Sequence, residues 1–239
     1  MVCKDPGNVS SNLTVAASFW KVNQPGRWHG LLIHWSVLRK RIEIETLAFR
    51  HSKELIMKRE MFMDGDGVVQ AIETETHIFG LFGKFRALSN FHEEPLIVDG
   101  LKFRWSEAAY MAEKTFLAKE KLAIMACDTP GKTKRLGQQL TLRPDWEDVK
   151  ESKMLKVLRA KFQQSAHCRE LLLSTGDKYI EETNWWGDNY WGKCDAHGLN
   201  ILGKLLMQIR GELRKELYCL SNPQRRFVYQ NATKPWWRY

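Results

Sequence analysis

Glu107 and Lys114 place a carboxylate and an amine seven residues apart, so that one α-helix would present both on the same face. Tyr110 and Met111 fall on that face as well, because residues three and four positions apart are neighbours on a helix. A carboxylate can serve as a general acid or base, and an amine can bind phosphate or act as a nucleophile. A glutamate in a first helical turn also interacts favourably with the helix dipole, which is the structural alternative for Glu107.

Turn and capping signals predict the elements that hold these residues. Asp-Gly at 99–100 interrupts the extended run from Leu96 to Trp105 and predicts a β-hairpin. Ser106 is predicted to cap the helix that follows, with Glu107 in its first turn. The pattern predicts a strand starting at His77 and helices over 106–127, 131–139, 147–164, 167–174 and 198–217. The predicted fold class is therefore mainly α, an α-rich α+β domain with a small β-hairpin element.

Composition favours a globular protein with an anionic partner. The chain has 239 residues, of which 44% are hydrophobic and 27% charged, as in ordinary globular domains. Its net charge of +9 favours a polyanionic partner such as nucleic acid or a phosphorylated ligand. A basic surface without such a partner is the alternative.

Three regions are predicted along the chain. A Gly- and Asp-rich turn at 63–67 indicates a boundary near residue 72, so that 1–72 is an N-terminal extension or accessory region. Residues 73–217 form the main domain, and 218–239 form a tail that contains four Lys or Arg and no Asp or Glu. Aromatic residues alternate with basic ones in this tail, which suits stacking on unpaired bases and contacts with phosphates. Packing of its tryptophans on the domain surface is the alternative.

The sequence predicts no metal or redox cofactor and no membrane association. The five cysteines are widely separated, and neither they nor the histidines show metal-ligand spacing. The longest apolar run, 31–38, is too short to span a bilayer, and the N-terminus lacks an apolar signal core. An intracellular protein is expected, cytoplasmic or, in a eukaryote, nuclear.

Seven short motifs between about residue 76 and residue 217 resemble the NADAR, or YbiA-like, domain family. They are Ser89-Asn90-Phe91; Ser106-Glu107 with Lys114; Leu142-Arg143-x-x-Trp146-x-x-Val149-Lys150; Leu158-Arg-Ala-Lys161-Phe162; Leu171-Leu-Leu-x-Thr175-Gly-Asp177; Asp188-x-x-Trp191-Gly192; and Asn200-x-Leu202-Gly203 with Met207 and Arg210. Each motif alone is too short to be specific, but all seven occur in the family's order and at family-like spacing. The resemblance implies an α-rich fold in which helices surround a pocket, and hydrolysis of N-glycosidic bonds.

The resemblance implies two substrate classes. One is ribosylated pyrimidine intermediates of riboflavin synthesis, and the other is ADP-ribose attached to guanine bases in nucleic acid, a modification made by toxins. The basic charge and the aromatic tail favour ADP-ribosylated nucleic acid, DNA over RNA, with ADP-ribose as the product. A YbiA-type glycosidase for the small intermediates is the first alternative. A non-catalytic module that binds ADP-ribose or a modified nucleotide is the second.

The resemblance assigns the catalytic role to Glu107, which would stabilise an oxocarbenium-like ribosyl cation or orient the attacking water. Asp188 is expected to be a second acid–base group or an anchor for the ribose, or else a residue that caps its own loop. Lys114 is expected to bind phosphate or to form a Schiff base with an opened ribose, or else to pair with Glu107.

The substrate-binding surface is predicted to contain two tryptophans, Trp146 and Trp191, which would stack on a base or ribose or would pack in the core. Its other predicted members are Asn90, Tyr110, Arg135, Arg143, Gly192 and Asn200. The two arginines suit a pyrophosphate, whereas the two asparagines also suit turns and caps. Departures from the family pattern occur at Ala108, Met111 and Gln138, which border the expected pocket.

Overall fold

A computed structural model describes residues 62–64 and 66–222. Most of the predicted 1–72 extension and of the 218–239 tail lies outside these residues. In chain order the elements are β1 (Ile72–Glu73), β2 (His77–Phe79), a 3-10 helix (Gly83–Leu88), β3 (Glu93–Val98), β4 (Leu101–Trp105), α1 (Ser106–Ala112), α2 (Ala118–Met125), α3 (Pro130–Gly137), α4 (Trp146–Gln164), α5 (Ala166–Ser174), β5 (Tyr179–Glu181), β6 (Thr183–Asn184), β7 (Lys193–Cys194) and α6 (Ile201–Ser221). None of the described helices is long and apolar enough to cross a membrane.

The α-rich α+β class and the hairpin are both confirmed. Strands β3 and β4 pair antiparallel with Val98 opposite Leu101. The turn residues Asp99 and Gly100 have φ angles of 51° and 77°, the positive values that a tight hairpin turn requires. The β structure is more extensive than predicted, because β2 pairs with β1 and in parallel with β5, and β6 pairs in parallel with β7.

The prediction of one helix over 106–127 is wrong, because the chain leaves the helix after Ala112 and re-enters it at Ala118. Thr115 provides the local reason. Its hydroxyl accepts a hydrogen bond from the Leu117 amide at 3.1 Å and donates one to the Glu120 carboxylate at 2.6 Å. Threonine side chains that bond nearby groups in this way compete with helical hydrogen bonding.

The predicted N-cap at Ser106 is also shifted by one residue. Trp105 occupies the N-cap position with extended backbone, and no side chain caps this helix. Ser106 instead donates its hydroxyl to the Asn90 carbonyl at 3.4 Å, and the Glu107 amide donates to the same carbonyl at 3.1 Å. The start of α1 is therefore tied to the segment that precedes the hairpin.

Helix α1 lies inside the fold rather than on its surface. All seven of its residues are buried, and it packs against α2, α3, α4 and β4. The long helices α4 and α6 contribute apolar side chains to the same core, including Val157, Leu158, Phe162, Leu206 and Ile209. Complete burial of α1 carries the carboxylate of Glu107 into the interior.

Candidate active site

A cavity of about 780 Å³ opens beside α1. Its walls come from α1, α3, the start of α4, the 89–91 segment and the loop between β6 and β7. The volume lies within the roughly 300–1,000 Å³ usual for small-molecule sites. Elements distant in sequence therefore meet at one concave surface.

Glu107 projects from the first turn of α1 into this cavity and is only 6% exposed. Burial raises the pKa of its carboxyl group to about 7, because the charged form loses its hydration. The positive charges of Lys134 and Lys114 oppose the shift, and Asp188 adds to it. A carboxyl group with a pKa near neutrality can both accept and donate a proton at physiological pH.

Lys114 also lines the cavity, two residues beyond the end of α1. Its ammonium group donates to the Gly137 carbonyl at 3.3 Å and lies 5.7 Å from the centre of the Trp146 ring. Burial lowers its pKa, which favours the neutral amine. Among the described residues it forms no salt bridge with Glu107, although the positive charge of Lys114 acts to lower the pKa of Glu107.

Three aromatic side chains form one wall of the cavity. The Tyr110 ring lies 5.3 Å from Trp146 at an interplanar angle of 47°, and 5.4 Å from Trp191 at 80°. Trp146 is buried and belongs to the core, whereas Trp191 is half-buried. Trp146 therefore packs in the core and also lines the cavity, and its stacking on a base or ribose stays a prediction. Such a wall suits stacking on a planar base.

Asp188 caps its own loop and lines the cavity at the same time. Its Oδ1 atom accepts hydrogen bonds from the amides of Tyr190, at 3.2 Å, and Trp191, at 2.9 Å. Asn184 fixes the backbone of Asp188 through hydrogen bonds of 3.0 and 2.8 Å. Within the described part of the chain Oδ2 has no hydrogen-bond partner, so this oxygen is left for a ligand or water.

Five cationic side chains line the cavity: Arg86, Lys114, Lys134, Arg135 and Lys150. Arg135 is exposed and lines the cavity, and its predicted binding of phosphate stays a prediction. Arg143, the other predicted phosphate ligand, is not among the described lining residues. Its guanidinium forms a bidentate pair with Asp145, at 2.6 and 2.9 Å, and stacks on Phe116 at 4.6 Å. The ion pair and the stacking direct this arginine away from the cavity.

Asn200 and Gly192, both predicted to contact substrate, are likewise not among the described lining residues. Asn200 is completely buried and has a positive φ of 53°. Its side chain accepts from the Glu182 amide at 3.0 Å and donates to the Ile180 carbonyl at 2.9 Å. A Cβ atom on Gly192 would lie 2.1 Å from the Glu182 carbonyl oxygen. These two residues therefore hold the backbone beside the cavity, and their contact with substrate stays a prediction.

Sequence reasoning missed several residues that line the cavity, among them Arg86, Lys134 and Glu182. No local pattern marks them, because each reaches the cavity through the tertiary arrangement of its element. Two buried side-chain atoms in the described structure lack a hydrogen-bond partner, Asn90 Oδ1 and Glu182 Oε2, and both residues line this cavity. The site therefore holds unsatisfied acceptors as well as cations.

One cluster of metal-binding residue types occurs among the described residues, although the sequence spacing indicates none. Side-chain ligand atoms of His92, Glu94 and Cys168 lie within 4.8 Å of one another. None of the three lines the cavity. The ammonium of Lys161, buried nearby and bonded to the Ser89 carbonyl at 2.7 Å, acts electrostatically on this cluster and opposes a cation.

The family model, a curated relative and a solved structure all relate this domain to the same family. The model of the NADAR domain matches residues 73–214. N-glycosidase YbiA of Escherichia coli is 37% identical over 150 residues, which cover 60% of this chain and 91% of that protein. The NMR structure of YbiA aligns with a TM-score of 0.56 and 35% identity over 62% of this chain and 90% of that chain. A riboflavin biosynthesis protein of Vibrio vulnificus is 32% identical over 131 residues, 54% of this chain and 35% of that protein.

Proposed function

Since the chain belongs to the NADAR domain family, we propose that it is an N-glycosidase that removes ADP-ribose from guanine bases in nucleic acid. The relatives named N-glycosidases support hydrolysis of an N-glycosidic bond. The observation that carries the proposal is the placement of Glu107. Its carboxyl group, with a pKa raised to about 7, lies in a cavity with an aromatic wall and several cations.

Glu107 has the properties that this reaction requires. Cleavage of a ribosyl C–N bond develops positive charge at C1′ and the ring oxygen, and a nearby carboxylate stabilises that charge. The same carboxylate accepts the proton of the attacking water, whose oxygen forms the new bond to C1′. The electron pair of the broken bond passes to the nitrogen of the leaving base.

The rest of the cavity suits an ADP-ribosyl group. The wall of Tyr110, Trp146 and Trp191 offers a stacking surface for a base. Arg86, Lys134 and the other lining cations offer charge-assisted hydrogen bonds to a pyrophosphate. The net charge of +9 favours approach to a polyanion, which supports a nucleic-acid substrate over a free metabolite.

A second candidate is hydrolysis of small ribosylated intermediates of riboflavin synthesis. The similarity to a riboflavin biosynthesis protein of Vibrio vulnificus is the observation that favours it. A ribose phosphate with one pyrimidine ring would use the same carboxylate and the same aromatic wall. The two candidates therefore differ in substrate and share their chemistry.

The first experiment uses the full-length protein and a DNA oligonucleotide that carries one ADP-ribosylated guanine. Chromatography should show free ADP-ribose together with the restored oligonucleotide. Glu107→Gln should abolish the release and retain binding, whereas Glu170→Gln, a change at an exposed position on α5, should leave the release intact.

The other results lead to different functions. Binding without release, in the original protein as in Glu107→Gln, would identify a binding module instead of an enzyme. Release from a ribosylated pyrimidine phosphate, with the DNA left intact, would establish the second candidate. Full activity of Glu107→Gln would remove the catalytic role of this residue.

A further inference from the structure

Glu182, a half-buried residue, brings a second carboxyl group into the cavity that holds Glu107. It lies between β5 and β6, and its Oε2 atom is buried with no hydrogen-bond partner among the described residues. A buried polar atom without a partner costs about 1–3 kcal/mol, so such atoms are rare. A group of this kind inside a cavity is explained if a ligand completes its hydrogen bond.

The backbone of Glu182 is held on both sides. Its amide donates to the Asn200 side chain at 3.0 Å, and its carbonyl accepts from the Lys193 amide at 2.9 Å. Gly192 lies against it, and a Cβ atom there would come within 2.9 Å of the Glu182 Cγ atom. The backbone of Glu182 is therefore held in place beside the cavity, and glycine at 192 leaves room for its side chain.

Glu182 and Glu107 differ in the charge they carry near neutral pH. Burial raises the pKa of Glu182 to about 8, and the negative charge of Asp188 adds to the shift. Lys134 and Arg86 oppose it. Glu182 is therefore mostly protonated at pH 7, whereas Glu107, with a pKa of about 7, is about half ionised. Two carboxyl groups in one cavity, one ionised and the other protonated, can divide the roles of base and acid.

We propose that Glu182 is the general acid that protonates the leaving nitrogen while Glu107 accepts the proton of the attacking water, an assignment that rests on the N-glycosidase activity proposed above. The water oxygen bonds to C1′ as the C1′–N bond breaks. The nitrogen receives the electron pair of that bond and the proton of Glu182. Glu107 ends protonated and Glu182 ends ionised, so one proton transfer between them through solvent restores the enzyme.

Glu182→Gln tests this role because glutamine has the shape and neutrality of the protonated carboxyl group. It keeps an N–H donor for a bound base but has no proton to transfer. On whichever N-glycoside the original protein hydrolyses, kcat at pH 7 should fall by about 10²–10⁴-fold, with KM changed by less than about threefold. The decline of kcat above about pH 8 should disappear with the group that causes it.

A second variant separates proton transfer from a structural role. Glu182→Ala should lose the same activity on an N-glycoside, whose leaving nitrogen needs a proton. On a ribosyl substrate whose leaving group departs as a stable anion, such as p-nitrophenolate, the same variant should keep close to the original kcat. The matched variant Glu170→Ala, at an exposed position outside the cavity, should keep the original kcat on both substrates. A merely structural defect would lower kcat on both substrates alike.

Other results with these variants would lead to different conclusions about Glu182. Glu182→Gln with the original kcat and alkaline decline would overturn the proposal and leave the glycosidase activity standing. An increase in KM at constant kcat would also overturn it, because Glu182 would then only bind the base. Failure of the original protein on every N-glycoside would remove the proposed function, and this assignment with it.

Discussion

Replacing Glu107 by glutamine should stabilise the protein, and the gain should grow with pH. Burial raises the pKa of this carboxyl group from 4.5 to about 7, which corresponds to about 3 kcal/mol of preference for the neutral form. Glutamine is neutral at every pH and nearly isosteric. The variant therefore avoids the cost of holding a buried carboxylate, and it loses the catalytic group.

The direction of this change in stability with pH follows from proton linkage. Below pH 4.5 the carboxyl group is protonated in both the folded and the unfolded chain, so the two proteins should be equally stable. As pH rises from 4.5 through about 7, the unfolded chain ionises first, and the original protein loses stability relative to the variant. By pH 8 the difference should reach about 3 kcal/mol, against about 1 kcal/mol at pH 5.

Urea denaturation of both proteins at pH 5, 6, 7 and 8 measures this difference. In thermal unfolding it corresponds to a melting temperature higher by about 6–12 °C at pH 8. Glu170→Gln, at an exposed position, is the matched control and should stay within about 0.5 kcal/mol of the original protein at each pH. A constant difference across the pH range would refute a pKa raised by burial. Lower stability of Glu107→Gln at every pH would instead identify Glu107 as a stabilising partner of the helix dipole.

Three further measurements test the remaining roles. Trp191→Ala should raise KM about tenfold through lost stacking on the base, and an unchanged KM in steady-state kinetics would exclude that contact. Asn200→Ala removes buried hydrogen bonds to the Glu182 amide, the Ile180 carbonyl and the Tyr179 hydroxyl. Urea denaturation should therefore show a free energy of unfolding lower by about 3 kcal/mol. A loss below about 1 kcal/mol would show that these bonds contribute little and would favour a ligand role for Asn200. Deletion of 223–239 removes four positive charges. It should lower activity on DNA by about tenfold or more at physiological salt and leave activity on a small ribosylated substrate unchanged. Equal activity of the truncated and original proteins on DNA would show that the tail does not bind the nucleic acid.

The features that depend on neighbouring residues could be read from the sequence. Asp99-Gly100 sets a tight turn, and this predicted the β3–β4 hairpin. Helical spacing placed Glu107 and Tyr110 on one face of α1, and both line the cavity. The ordered motifs identified the family, which the match over 73–214 confirms. Turn geometry and helical periodicity are local properties, so the residues themselves were sufficient.

The features that depend on distant contacts were decided by the tertiary structure alone. Arg143 and Asn200 matched the family motifs, yet an ion pair and buried hydrogen bonds engage them within the protein. Glu182 carried no signal, because its raised pKa arises from burial between segments that are far apart in sequence. The sequence shows which side chains can exchange a proton. The packing around each side chain sets its pKa and decides whether a ligand can reach it.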